Sequence, residues 1–166
     1  MTKVFEFGRS CGTGGVGRTH TPGLTVCEWY EAYGDRASRG EIEEGLRQHL
    51  CDTVIGKREI EYGESKTVIN FNPPYRRVEY KTLVKELMGD DWFELDFATQ
   101  LEKAKEKGKA TDTNLELDGV TTELMLTHEV YDKLIEKKLM QPTFVTRIPH
   151  AVSYTTLTLP TNREVD

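Results

Sequence analysis

A run of glycines between Gly8 and Gly23 puts the most suggestive chemistry of this 166-residue chain near its start. Gly12, Gly14, Gly15 and Gly17 leave successive backbone N–H groups accessible, and glycine reaches the unusual φ values a tight wrap needs. Arg9 and Arg18 add positive charge, while Thr19 and His20 add a hydroxyl and an imidazole. Successive N–H groups flanked by cations form a seat for an anion. The anion-binding set expected from these residue types is Arg9, Gly14, Gly15, Gly17, Arg18, Thr19 and His20, and its ligand would be phosphate-bearing.

Gly12-Thr13-Gly14-Gly15-Val16-Gly17-Arg18-Thr19 resembles a P-loop in the spacing of its glycines and threonine, with Arg18 where that motif carries lysine. A P-loop also needs a helix directly behind it, so that the helix N-terminus faces the phosphates. His20-Thr21-Pro22-Gly23 and the β-branched residues beyond do not promise one. Arg9-Ser10-Cys11-Gly12-Thr13-Gly14 resembles the phosphate loop of acetyl-coenzyme A-dependent acyltransferases, but that loop stands deeper in its chain, behind a long strand. A glycine-rich loop or arm over residues 8–23, docking on a neighbour, is the favoured expectation; the anion site is the alternative.

Other chemistry is thinner. Cys11, His20, Cys27, His49 and Cys51 contain no Cys-x-x-Cys pair, and the side chains of His49 and Cys51 diverge on a helix, so no metal site is expected. Cys27 and Cys51 read as ordinary buried residues. Cys11 with His20 has the composition of a nucleophile and base, but thiol reactivity depends on surroundings that a sequence does not display. No Gly-x-Ser-x-Gly elbow occurs. Glu94 and Asp96 would share a face if residues 92–97 were a strand. No catalytic residue and no cofactor is assigned.

The elements that must position these residues emerge from periodicity. Lys3–Phe7 alternates like a strand, and Leu24–Tyr33 is an apolar-aromatic stretch of undecided type. Ser38 and Glu41 have the spacing of a capping box for a helix carrying Ile42, Leu46, His49 and Leu50, with Gly56 as its stop. Residues 57–72 read as a hairpin turning at Gly63-Glu64-Ser65, ended by Pro73-Pro74. A helix over Val78–Met88 closes at Gly89, and another runs from about Phe97. Residues 105–112 are the candidate internal linker. Asp118-Gly119 between alternating apolar residues predicts a hairpin running to Leu126. Thr127 then caps a helix over 128–140, and Phe144–Ile148 and Val152–Leu159 complete the strands.

Strands arriving as hairpins, without βαβ alternation, predict an α+β fold: an antiparallel sheet with three or four helices packed on it. Residues 1–166 are expected to form one such domain, a length that can bury its own core.

A hydrophobic fraction of 37% and a charged fraction of 30% are those of a globular protein on the polar side. The net charge is −6, with Lys and Arg interleaved with Glu, as in Glu102-Lys103-Ala104-Lys105-Glu106-Lys107. That pattern reads as a solvated helix face, and nucleic acid is not an expected partner. Arg76-Arg77 beside Tyr75 and Tyr80 is the sole patch that would suit it. No apolar run nears the ~20 residues that span a bilayer, so no membrane partner is expected. Three unpatterned cysteines without an apolar leader point to the cytoplasm, the host's if the protein is viral. The leading functional expectation is a non-enzymatic interaction or structural protein. It would be an accessory or assembly factor, virus-encoded among other origins, acting through a protein partner or self-assembly. The alternative is a small phosphate- or nucleotide-binding protein or enzyme using the Gly12–His20 loop.

Overall fold

The computed structural model describes residues 2–12, 16 and 21–150. The chain divides into two compact units, Met1–Glu43 and Glu44–Asp166.

The first unit is dominated by a long antiparallel hairpin. β1 (Lys3–Cys11) pairs along its whole length with β2 (Gly23–Glu31), from Lys3↔Glu31 to Cys11↔Gly23. The undecided stretch after Leu24 is therefore a strand. Its alternation is masked in the sequence because both faces of this hairpin carry apolar residues. The arm expected over 8–23 is shorter than its glycines suggested, since Gly8, Arg9, Ser10 and Cys11 belong to β1. Beyond Cys11 the Gly12 N–H donates to the Pro22 carbonyl at 2.9 Å, extending the pairing inward.

Helix α1 (Arg36–Leu50) starts two residues before Ser38. Its cap is Asp35: the Ser38 N–H donates to Asp35 Oδ1 at 2.8 Å, while the Asp35 N–H donates to Ser38 Oγ at 3.1 Å. This is the reciprocal logic of a capping box, three residues earlier than the Ser38–Glu41 spacing implied. After Leu50 the coil widens into a π-turn over Cys51–Ile55, and Gly56 ends it at φ 80°.

In the second unit, β3 (Glu59–Tyr62) and β4 (Thr67–Asn70) form the expected hairpin, with Ile60 opposite Ile69. The outer edge of β4 is occupied by a side chain. Gln141 Nε2 donates to the Val68 carbonyl at 2.8 Å and Gln141 Oε1 accepts from the Asn70 N–H at 3.0 Å, imitating one rung of a ladder. β5 (Arg76–Glu79) and β6 (Thr143–Thr146) pair in parallel. A parallel pair needs a long crossover, which the intervening helices supply.

Those helices carry the core. α2 (Tyr80–Met88) buries Tyr80, Leu83, Val84 and Met88 and closes at Gly89, as its spacing predicts, although Val78 belongs to β5. Residues 92–96 do not form the strand considered for them, and the helix expected from about Phe97 starts there. Trp92–Glu94 is one 3-10 turn, and Asp96 caps α3 (Phe97–Ala110) by accepting from the Thr99 N–H at 3.0 Å. The expected linker at 105–112 is mostly the end of this helix. α4 (Glu123–Val130) is capped by Thr122, not Thr127, and continues as a π-turn over Tyr131–Ile135 and a 3-10 turn over Glu136–Lys138. Trp92, Leu126 and Val130 are fully buried, and the Tyr80 and Tyr131 rings pack at a 41° tilt with centroids 4.6 Å apart.

The hairpin predicted at Asp118-Gly119 does not form. Gly119 takes φ 80°, but Asp118 does not take the positive φ that a two-residue hairpin turn also needs, and the flanks are irregular. Leu115, Leu117 and Val120 pack against the helical core instead, and the Glu116 N–H donates to Glu129 Oε1 at 2.6 Å. Side-chain burial and a helix-borne acceptor replace a partner strand there.

The fold is thus α+β, with four α-helices among the described residues. The described strands form three separate two-stranded pairs, two antiparallel and one parallel, where one antiparallel sheet was expected. The strand expected at Val152–Leu159 lies outside the described residues. No described helix is long and apolar enough to cross a membrane.

Candidate functional site

The β1–β2 hairpin presents two faces, because successive side chains of a strand point to opposite sides. On one face Lys3, Phe5, Phe7, Arg9 and Cys11 stand opposite Glu31, Trp29, Cys27, Thr25 and Gly23. On the other, Val4, Glu6, Gly8 and Ser10 stand opposite Tyr30, Glu28, Val26 and Leu24.

The second face holds the unusual arrangement. Glu6 and Glu28 are directly paired across the strands, which puts their Cβ atoms ~5 Å apart. Like charges in that position oppose pairing. Next along β2, the Tyr30 hydroxyl donates to Glu28 Oε2 at 3.1 Å. That hydrogen bond, and then the Glu28 charge, raise the Tyr30 phenol above its ordinary pKa, with partial burial and the Glu6 charge adding to the shift. All three polar groups therefore act on one small patch. Tyr30 remains about half exposed, so the patch is open to solvent. Two carboxylates and a hydroxyl acting as acceptor or donor suit a small organic cation, above all a primary ammonium, whose three N–H bonds need three acceptors. Among the described residues no group of three or more His, Cys, Asp or Glu side chains is placed to hold a metal ion.

Network bonds hold the open end of this hairpin. Lys3 Nζ lies 2.8 Å from Glu31 Oε1, and Ser38 Oγ donates to Glu31 Oε2 at 2.8 Å. The Lys3 interaction first, then the Ser38 hydroxyl, hold the Glu31 carboxyl below the usual carboxylate range.

Of the residues expected to bind an anion, Arg9 lies in β1, exposed, on the face opposite the acid pair. Gly14, Gly15, Gly17, Arg18, Thr19 and His20 lie outside the described residues. The element behind this segment is strand β2, not a helix, so the strand–loop–helix context of a P-loop is not the one built here. Cys11 and Cys27 are exposed and Cys51 is buried; the expectation of burial was right for Cys51 and wrong for Cys27, which stands on an uncovered sheet face.

The Arg76-Arg77 patch has structural partners. Arg76 Nη2 donates to both carboxylate oxygens of Glu86, at 2.7 and 2.9 Å. Arg77 pairs with Glu44 at 2.9 Å and lies over the Phe144 ring. Tyr75 and Tyr80 are buried. Glu94 and Asp96 form no carboxylate pair, since Asp96 is spent on the α3 cap. His128 falls in the last turn of α4, where a first-turn position was expected.

Sequence reading passed over Glu6, Glu28 and Tyr30. The signal lay in the register: two alternating runs, aligned as a hairpin, place Glu6 against Glu28. Without recognising residues 23–31 as the partner strand, the acids are simply two of many.

A family model described as tRNA synthetases class II (D, K and N) matches residues 1–165. The chain is 34% identical over 153 residues to the Lysine--tRNA ligase of Halalkalibacterium halodurans, covering 92% of this chain and 29% of that protein. It is 35% identical over 154 residues to that of Lactococcus lactis subsp. cremoris, covering 92% and 30%. With that of Bacillus subtilis it shares 33% over 153 residues, covering 92% and 29%. The chain thus spans about three tenths of the length of these relatives.

These matches overturn three expectations. The reading as a non-enzymatic, structural or accessory protein of viral type gives way, because the matched family and relatives are tRNA synthetases. So does the small phosphate-binding protein offered as its alternative. The expectation against a nucleic-acid partner falls too, since tRNA stands in the names of the family and the relatives. Net charge misled here: it averages 166 residues, whereas contact with RNA is made by a local surface.

Proposed function

Since the chain belongs to the class II (D, K and N) tRNA synthetase family, we propose that it carries the amino-acid side-chain end of a lysine-charging site. The observation behind this reading is the register pairing of Glu6 with Glu28 on one open face, with the Tyr30 hydroxyl hydrogen-bonded to Glu28. Lysine ends in a primary ammonium on a flexible apolar stem. The two carboxylates would neutralise that ammonium, and the Tyr30 oxygen would complete a three-acceptor set around it. Val4, directly opposite Tyr30, offers apolar surface to the stem. A bound cation would also relieve the repulsion that the paired acids otherwise impose on the hairpin.

The anion site is a second part of the proposal. Arg9 with Gly14, Gly15, Gly17, Arg18, Thr19 and His20 would hold a phosphate, and tRNA is rich in phosphates. A cytoplasmic setting, expected from the cysteine pattern, suits this reading. Because the chain spans three tenths of its relatives, joining lysine to tRNA is assigned to the site it contributes to, not to this chain by itself.

The test compares lysine with norleucine, which keeps the stem and lacks the ammonium, in amide and side-chain NMR titrations. Lysine is expected to shift the signals of Glu6, Glu28 and Tyr30, and norleucine is not. Glu28→Gln should weaken lysine binding by ~10-fold or more, the usual scale for a hydrogen bond to a charged group. Equal responses to the two ligands, or unchanged lysine affinity in Glu28→Gln, would sink the reading.

A further inference from the structure

We propose that Glu31 is a positioning residue that pins the register of the β1–β2 hairpin, and through it the juxtaposition of Glu6, Glu28 and Tyr30; its link to lysine rests on the proposed lysine-charging role. The need for such a residue comes from the hairpin itself. Register is ordinarily set by a short turn or by burying one face. Here the connection over residues 12–22 is far longer than a two-residue turn, and both strands lie almost wholly exposed. A slip by one residue would send every side chain of one strand to the other face, parting Glu6 from Glu28.

The open end of the hairpin has the features that could prevent this. Lys3↔Glu31 is the terminal register pair, and their side chains meet at 2.8 Å. Just beyond, the Ala32 N–H donates to the Thr2 carbonyl at 2.8 Å. The other Glu31 oxygen accepts from Ser38 Oγ, and Ser38 is itself locked to Asp35 at the start of α1. One carboxylate therefore ties the end of β2 to β1 on one side and to the helix on the other. Its side chain is only 13% exposed, in a hairpin whose other side chains are mostly open.

Gly34 is the independent sign that this geometry is built in. A Cβ at position 34 would lie 2.7 Å from Glu31 Oε2 and 2.9 Å from its Cδ and Cγ. The glycine is not there for a left-handed φ; it clears the space in which the tethered carboxylate sits. Gly34→Ala should therefore displace Glu31 without changing any charge.

Cross-strand NOEs in the full chain read the register directly, because Glu6 and Glu28 are paired across the strands whereas the Tyr30–Glu28 hydrogen bond lies within β2 and survives a slip. Glu31→Ala and Gly34→Ala should each lose the backbone NOEs between Glu6 and Glu28. Glu31→Gln should keep them closer to wild type, since an amide oxygen still accepts from Ser38 or Lys3. If Glu31→Ala fails to fold, Gly34→Ala decides. Wild-type Glu6–Glu28 NOEs in folded Gly34→Ala, or in folded Glu31→Ala, overturn the proposal. Lysine titration of the wild-type chain judges the functional reading separately: a chain that ignores lysine but shows the expected loss of NOEs keeps the Glu31 assignment and loses the substrate.

Discussion

The β1–β2 hairpin and the helical core of the second unit use polar groups in opposite ways. In the hairpin no residue of either strand is buried, and Phe5 and Phe7 remain 69% and 72% exposed. Its shape rests on backbone pairing and a few charged contacts, so its acids and its tyrosine stay available to solvent. Around Trp92 the polar groups are turned inward on one another. The indole N–H donates to Thr127 Oγ1 at 3.0 Å, and Gln100 Nε2 donates to the Trp92 carbonyl at 2.7 Å, all within the interior. Such buried polar groups hold helices in place, out of reach of solvent, although Gln100 Oε1 in the same interior has no hydrogen-bond partner. A strained or uncompensated polar arrangement on an open surface, like Glu6 against Glu28, is the more informative of the two.

Substitutions in the two regions should differ sharply. The largest loss is expected for Leu126→Ala, which empties a fully buried site among α2, α3 and α4. Urea unfolding should show a loss of about 2–5 kcal/mol. Thr127→Val comes next. It keeps the shape but leaves the Trp92 indole N–H without its acceptor, costing about 1–3 kcal/mol in the same measurement, with a change in Trp fluorescence. Smallest is Phe7→Ser. Despite the size of the residue removed, its exposure predicts a change within about 0.5 kcal/mol. A loss for Phe7→Ser comparable to that of Leu126→Ala would break the comparison, by showing that the hairpin face is covered in solution. Together with the Glu28 and Glu31 variants, these separate residues that hold the protein together from residues left free to act.

The family relationship gives the hairpin's openness a physical context. The relatives are more than three times as long as the stretch they share with this chain. A two-stranded hairpin with aromatic side chains on one face is marginal alone in water. Its aromatic face is therefore a different matter from its acidic face: one exposes the rings of Phe5 and Phe7, the other sets two like charges against each other.

Much of the helical part was legible locally. Gly56 and Gly89 stopped their helices where the spacing put them, because glycine alone tolerates the closing conformations at φ 80° and 106°. The 57–72 hairpin announced itself by alternation and by Gly63. Failures cluster where a distant partner decided the outcome. Asp118-Gly119 turns the chain with positive φ at Gly119 alone, and whether strands flank a turn depends on whether Leu115, Leu117 and Val120 find another strand or a helical core. Thr127 looked like a cap and became an acceptor for Trp92, 35 residues away. β6 was expected in an antiparallel sheet and paired in parallel with β5.

The amino-acid sequence by itself determined the mixed α+β character, the position of most helices and the presence of a loop rich in glycine and cations. These depend on periodicity, capping and φ preferences, which act over a few residues. Only the tertiary structure decided which two strands embrace that loop, and hence that Glu6 faces Glu28 beside Tyr30. The pairing of Glu6 with Glu28 is a relation between residues distant in the sequence. No local propensity encodes it until the chain has folded back on itself.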